Sequence, residues 1–439
     1  MDKEQLKQRA VDFIESRKEE LIAIGRTLYA MPEPGFREYR TSAYVKNLLS
    51  SLGLDVQDGL ALTGLKAVAK GKSQQFNVGV MGELDSLLMP RHPHADPDTG
   101  AAHACGHHAQ IACMIGTAFG LVGTGIIKEL DGDLTLLAVP AEEVIELGFR
   151  AELAKQGKIQ FFGGKQEFIR LGVFDDVDAI LCSHINNAKD GPYFDHSKSY
   201  NGVLHKTARF IGKSAHAALS PHLGVNALHA AVCAINNINA LRETFENKHN
   251  VRIHYIITKG GDSPNIIPDD VRMELGVRAF TPQMMMEINR KVNRALRAGA
   301  EAIGARVEID DQGAYLPLHQ NRPLGLLYAE NAKKLVGEDN VFDLVDEFRG
   351  SSTDAGDVAA VKPTIHPNFG GSSGPAHTNE FDIRDEYLAY VLPAKAAAMT
   401  VIDLLFDGAR DGKAIAKSFV PTFKDKEEYC DFHARLKDE

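Results

Sequence analysis

The sequence predicts an α/β protein with a second, ferredoxin-like α+β domain inserted in it, and three observations carry that expectation. Short, mostly apolar runs over 77–82, 134–139 and 179–183 alternate with helical stretches, the signature of a mostly parallel sheet. From about Gly202 the texture changes to a βαββαβ succession of roughly a hundred residues, the ferredoxin-like order. At 439 residues the chain is long enough for two cores.

Taken in order, residues 4–29 carry apolar residues at helical spacing (Leu6, Val11, Ile14, Leu21, Ile24, Leu28) and read as one surface helix ended by Met31-Pro32. A second amphipathic helix is expected over 41–52, then strands over 65–69 and 77–82, the latter running into Glu83-Leu84-Asp85. A small-residue helix is expected over 108–122. The strand over 134–139 ends in Pro140-Ala141-Glu142-Glu143 and that over 179–183 in His184. Three strands thus deliver polar residues at their carboxyl ends, where open α/β sheets place their sites. In the insert, strands are expected over 203–211, 251–258, 271–279 and 306–309, with helices over 224–244 and 282–304. Met284-Met285-Met286 reads as helix packing. Helices over 323–335 and 385–405 follow, and the polar tail from Gly408 is expected to pack loosely.

A net charge of −10 argues against a nucleic-acid partner and an anionic membrane, leaving small solutes. The charged amino terminus and the lack of any run approaching eighteen apolar residues lead us to expect a cytoplasmic protein. Five scattered cysteines, an odd number without a CxxC pair, are expected to be free thiols.

Chemistry concentrates first in Gly100 to Ala112, where Cys105 and His107 flank Gly106. A tight turn there could aim a thiolate and an imidazole at one point, a donor pair suited to zinc and its neighbours. Two donors make no closed site, so others must come from elsewhere in the chain. Consecutive residues leaving a strand point in different directions, so of Glu142 and Glu143 one can ligate while the other stays free. The Gly370-Gly371-Ser372-Ser373-Gly374 segment is expected to let backbone amides approach a substrate, and it lacks the context of a nucleotide loop.

Seven motifs in order carry a resemblance: Met31-Pro32-Glu33-Pro34-Gly35, His103-Ala104-Cys105-Gly106-His107, Pro140-Ala141-Glu142-Glu143, Ser214-Ala215-His216-Ala217, Asn265-Ile266-Ile267-Pro268, Ser352-Thr353-Asp354-Ala355-Gly356-Asp357 and Ala376-His377-Thr378-Asn379-Glu380-Phe381. Over nearly its whole length the chain resembles the M20 metallopeptidase family, in particular the amidohydrolase branch of aminoacylases and of hippurate, auxin-conjugate and p-aminobenzoyl-glutamate hydrolases. The resemblance implies a zinc-peptidase-like catalytic domain with a mixed sheet flanked by helices, over 1–201 and 313–439, and a lid and dimerisation domain over 202–312. It implies one or two divalent ions per chain, zinc or manganese, on Cys105, His107, Glu143, His184 and His377, with Cys105 bridging and Asp85 orienting a ligand from behind. Glu142 falls on the general base that activates water through the metal, His216 on a group holding the oxyanion, often of the partner subunit, and Asn265, Arg278 and Gly371 on substrate-binding positions. Where most relatives have Asp after the Cys-Gly-His motif, this chain has His108, expected to lie behind the ligands or to reach the substrate; many have Asp where Glu83 stands. A homodimer through the lid, or a higher homo-oligomer, is implied.

The implied reaction is hydrolysis of a carbon–nitrogen bond, foremost the amide of an N-acyl or N-aroyl amino acid or a dipeptide-like compound. Two alternatives stay open at this point: hydrolytic deamination of an electron-poor aromatic amine such as a nitroanthranilate, and a non-catalytic metal-binding protein.

Overall fold

The computed structural model describes residues 1–187 and 190–438. The chain folds as two compact units. The larger comprises Met1–Ser199, His319–Glu347 and Asp357–Lys426; the smaller comprises Tyr200–Leu318, Phe348–Gly356 and Glu427–Glu439. The insert therefore extends slightly beyond 202–312 at both ends and takes in two later segments that sequence pattern did not assign to it.

In the larger unit six strands form one mixed sheet. Numbered along the chain, they are β1 (Val56–Leu60), β2 (Gly64–Ala69), β3 (Asn77–Glu83), β4 (Asp133–Val139), β5 (Ala179–Cys182) and β10 (Thr364–Ile365), in the spatial order β1-β2-β4-β3-β5-β10. The β4-β3-β5-β10 portion is parallel and the β1 side antiparallel. Every residue of β3 and β4 is buried, as continuous apolar strands covered on both faces require. β1 escaped the sequence reading because Val-Gln-Asp-Gly-Leu is a half-exposed edge with no apolar run.

One face of the sheet carries α3 (His107–Ala118), all of whose residues are buried. Ala109, Ala112, Gly116 and Ala118 keep it thin enough to lie between β3 and two further helices, α2 (Lys18–Tyr29) and α6 (Leu392–Ser418). A methyl group at Gly116 would run into Leu21 and Ala394.

Two expectations fail here. The first helix is two, α1 (Lys3–Ser16) and α2, broken at Arg17 (φ −107°, ψ 13°), so that Leu6, Ala10 and Ile14 on one side of the break and Leu21, Ile24 and Leu28 on the other each reach the core. The tail is not loosely packed. α6 resumes after a break at Phe406–Ala409, and in α7 (Lys426–Asp438) Tyr429 and Leu436 are buried, Leu436 in the core of the smaller unit. An 18-residue window within Tyr387–Ser418 is apolar enough to cross a bilayer, with mean hydropathy 1.6, but it is entirely buried and serves as a core helix.

The smaller unit is built on β6 (Gly202–Ile211), α4 (Ala227–Leu241), β7 (Arg252–Lys259), β8 (Asp270–Ala279), α5 (Pro282–Ile303) and β9 (Arg306–Tyr315), the predicted βαββαβ order. Its antiparallel sheet runs β7-β8-β6-β9. α5 starts on Thr281, whose hydroxyl accepts the Met284 N–H, with Pro282 in the first turn, and stops at Gly304 in the left-handed region (φ +74°). Met285, Ile288, Val292 and Leu296 face the sheet, so the methionine run packs as expected. β7 is an edge strand with Ile256 and Ile257 exposed.

Candidate metal centre

Parallel pairing brings three strand ends level: Glu83 stands opposite Val139, and Met81 opposite Cys182. Just beyond them lie Asp85, the Ala141-Glu142-Glu143 loop and His184. The fourth contribution is the turn into α3. Gly106 has φ +89°, and a side chain there would strike Ile185, so only glycine lets the chain turn from Cys105 into His107. Cys105 thus sits at the amino end of a helix, where the helix dipole favours a thiolate.

Asp85, fully buried, organises two of these pieces. His107 Nδ1 donates to Asp85 Oδ1 and lies near the Asp85 carbonyl, both at 3.0 Å, and the Glu143 N–H donates to Oδ2 at 2.9 Å. Since both partners of Nδ1 are acceptors, Nδ1 holds the proton and Nε2 is left to face the site. His184 is oriented similarly: Nδ1 donates to the Ile185 carbonyl at 2.8 Å, and Nε2 lies 3.5 Å from Cys105 Sγ.

The Glu142-Glu143 loop is held from behind by two charged residues. Ala141 adopts φ +56°, a conformation that costs a non-glycine residue about 1–3 kcal/mol. Its N–H is held by the buried Glu38 carboxylate at 2.8 Å, which also accepts the Thr63 hydroxyl at 2.6 Å. The buried Arg150 guanidinium donates to the carbonyls of Ala141, Glu143, Ile145 and Phe162. Burial, with Asp85 nearby, raises Glu38 to about 7.

The donor atoms converge. Those of Cys105, His107 and His184 lie within 4.8 Å of one another, and so do those of Cys105, Glu143 and His377, so Cys105 is common to both groups. His377, at φ +63° after the glycine-rich segment, places Nε2 2.9 Å from Glu143 Oε1. That oxygen and His107 Nε2 are both buried without a hydrogen-bond partner. Buried donor atoms that face one another without hydrogen-bond geometry are what ligands of a shared cation look like once the cation is removed. The electrostatics agree. Burial opposes the Cys105 thiolate, yet His107 and His184 outweigh it and lower the thiol to about 6. Cys105 and Glu143 raise His377 to about 11, and His107 is raised well above its usual value against its burial by Glu83, Cys105 and Asp85. The residues fit two divalent cations sharing a thiolate.

Glu142 is buried beside this group, its Oε2 3.9 Å from His107 Nε2, and with His107 and Glu83 it forms a third set of donor atoms within 4.8 Å of one another. Other predicted residues fall elsewhere. His108 does not back the ligands. It is buried among Tyr29, His103 and Tyr390, with ring centroids 4.8, 4.9 and 5.8 Å away, because one residue on from His107 the helix has turned its side chain to another face. Gly371 has a packing role. Its φ is +117°, a side chain there would meet the backbone of Asp385 and Ala389, and its carbonyl accepts the Arg384 and Asp385 N–H groups.

In the smaller unit, a bridge between His216 and Ile266 and a hydrogen bond from the Ala217 N–H to the Asn265 carbonyl set His216 beside Asn265. His216 is exposed, and its Nδ1 accepts the N–H groups of Ala218 and Leu219 at 3.3 and 3.1 Å, so Nε2 is the donor in the neutral ring. Arg278 lies at the other end of β8, bonded to Ser352 Oγ at 2.6 Å. Eight residue steps along the strand separate it from Asp270 at the Asn265 end, about 26 Å.

Fold and donor set together define a metal-dependent hydrolase. A family profile described as a peptidase dimerisation domain matches residues 201–303. The chain is 31% identical to the Xaa-Arg dipeptidase of Mus musculus, over 92% of this chain and 90% of that protein. It is 24% identical to the IAA-amino acid hydrolase ILR1-like 4 of Arabidopsis thaliana, over 87% and 85%. The crystal structure of the YXEP protein of Bacillus subtilis, described as a dinuclear metal binding peptidase of the M20 family, superposes with a TM-score of 0.65 at 21% identity, covering 89% of this chain and 99% of that one. The chain belongs to the M20 peptidase family. It is an enzyme that hydrolyses amide bonds of amino-acid derivatives, which sets aside a non-catalytic metal-binding protein.

Proposed function

We propose that the enzyme releases an amino acid from a dipeptide or an N-acyl or N-aroyl amino acid, using one or two zinc or manganese ions held by Cys105, His107, Glu143, His184 and His377. The observation that carries this reading is the sharing of Cys105 between two three-residue donor groups, with Glu142 3.9 Å from His107. Bound there, the cations would polarise the scissile carbonyl and make an attacking water more acidic. Glu142 takes the proton from that water and returns it to the leaving nitrogen. Asp85 fixes the tautomer of His107 and the backbone of Glu143, while Glu38 and Arg150 hold the strained loop that presents Glu142.

His216 and Asn265 lie on loops beside the Asp270 end of β8 and Arg278 near its other end, about 26 Å of strand rise away, which favours their serving different substrates. A homodimer allows this: Arg278 grips a substrate carboxylate at one active site, while His216 donates from Nε2 to the oxyanion at the partner's. The exposed edge strand β7 supplies a surface for such pairing.

The test is a panel of dipeptides, N-acyl amino acids, p-aminobenzoyl-glutamate and aromatic amines with metal-reconstituted enzyme, scoring released amine and ammonia. Dipeptides or N-acyl amino acids are expected to be cleaved. Ammonia release from the aromatic amines alone would replace this reading with hydrolytic deamination.

A further inference from the structure

The donor set above leaves out a carboxylate at the end of β3. Glu83 is 1% exposed and its Oε2 lies 3.1 Å from His107 Nε2. Gln110 Nε2 donates to the same oxygen at 2.6 Å, and the fully buried Lys165 ammonium pairs with Oε1. A carboxylate accepts at about four lone-pair positions, so these partners leave room for another.

What faces Glu83 is also short of a partner. His107 Nδ1 donates to Asp85, so Nε2 presents its lone pair, and no hydrogen bond reaches that buried nitrogen. Two such atoms 3.1 Å apart are held together by a positive charge between them, a proton in the metal-free protein or a cation that displaces it. Ligand atoms about 2.1 Å from one ion stand roughly 3.0 to 3.4 Å apart. The pair formed by Glu143 Oε1 and His377 Nε2, at 2.9 Å, repeats this geometry on the other side of Cys105.

We infer that Glu83 is a further metal ligand, coordinating through Oε2 the same divalent ion as His107, with Gln110 and Lys165 holding the carboxylate in place. The inference rests on Cys105, His107 and His184 binding that ion. It makes the two positions unequal. Glu83, His107 and Glu142 offer donor atoms within 4.8 Å of one another, so the ion at His107 gains a carboxylate on the Glu142 side, while the ion at Cys105, Glu143 and His377 gains none and keeps an open position. The first ion is then the tightly held one, and the substrate exchanges at the second.

Titration of chelator-stripped enzyme with cobalt(II), followed by metal analysis and visible absorption, tests this without turnover. The wild type is expected to fill in two steps. In Glu83→Gln combined with Lys165→Met, which removes both buried charges together, the tight step is expected to weaken at least tenfold and its absorption band to change, the weak step staying put. Thermal melting establishes that the variant is folded. Should it not fold, the crystal structure of zinc-loaded wild-type enzyme decides, with Glu83 Oε2 expected about 2.0 to 2.2 Å from the ion. An unchanged tight step and band in the folded variant, or a zinc ion on His107 with Glu83 beyond hydrogen-bond distance, overturns the inference alone. A wild type that takes up no metal overturns the ligand reading beneath it as well.

Discussion

At the scale of single residues, Cys105 and Glu142 have separable jobs. Cys105 belongs to both donor groups, so Cys105→Ser is expected to lower occupancy at both positions, because a serine hydroxyl stays protonated where the thiol is already lowered to about 6. Metal analysis after dialysis checks this; full occupancy in the variant would exclude bridging. His377 makes a prediction about pH. Raised to about 11 in the metal-free site, it carries a proton at pH 8 that an incoming cation must displace, whereas Cys105, near 6, has already lost its own. Metal uptake at pH 8 should therefore release at least one proton per chain, and affinity should rise with pH, falling more steeply below about 6 as Cys105 protonates as well. Calorimetry in buffers of different ionisation enthalpy reads the proton count, and zero release contradicts the assignment.

At the scale of elements, the site depends on two backbone turns. Gly106→Ala forces a side chain into a left-handed residue and against Ile185, with an expected cost of about 2 kcal/mol or more, seen as a lower melting temperature together with weaker metal binding. Glu38→Ala frees the Ala141 N–H and is expected to lower kcat with little change in KM or metal content, with Glu38→Gln recovering most of the loss because an amide oxygen still accepts that N–H. Equal loss in both variants would mean that the carboxylate acts by its charge. These turns also mark how far the sequence could be read. Cys105, His107, Glu143 and His184 were legible because each sits in or directly after an apolar strand or a small-residue motif, and His377 was legible only through a family motif. Glu38, Arg150 and Lys165 were not legible: each is a lone charge within an ordinary helix or turn, and only tertiary pairing shows that it is buried. The strand beginning at Val56 was hidden by its polar edge, and the break at Arg17 by two helices that share one spacing.

At the scale of the whole molecule, the donor groups lie in the larger unit, while His216 and Arg278 lie toward opposite ends of β8 in the smaller one. If His216 serves the partner's active site, mixing His216→Ala with Glu142→Gln after subunit exchange should restore activity up to about a quarter of wild type, since half the dimers are hybrids with one intact site each. No recovery in demonstrated heterodimers would place His216 in its own chain's site or outside catalysis. The central claim, that Glu142 moves the proton at a cation pair held by its neighbours, is tested most directly by one paired measurement: metal content and kcat of wild type and Glu142→Gln on the best substrate of the panel. The account predicts equal metal content and a fall in kcat of about 10² to 10⁴-fold. Near wild-type turnover by fully metallated Glu142→Gln would contradict it.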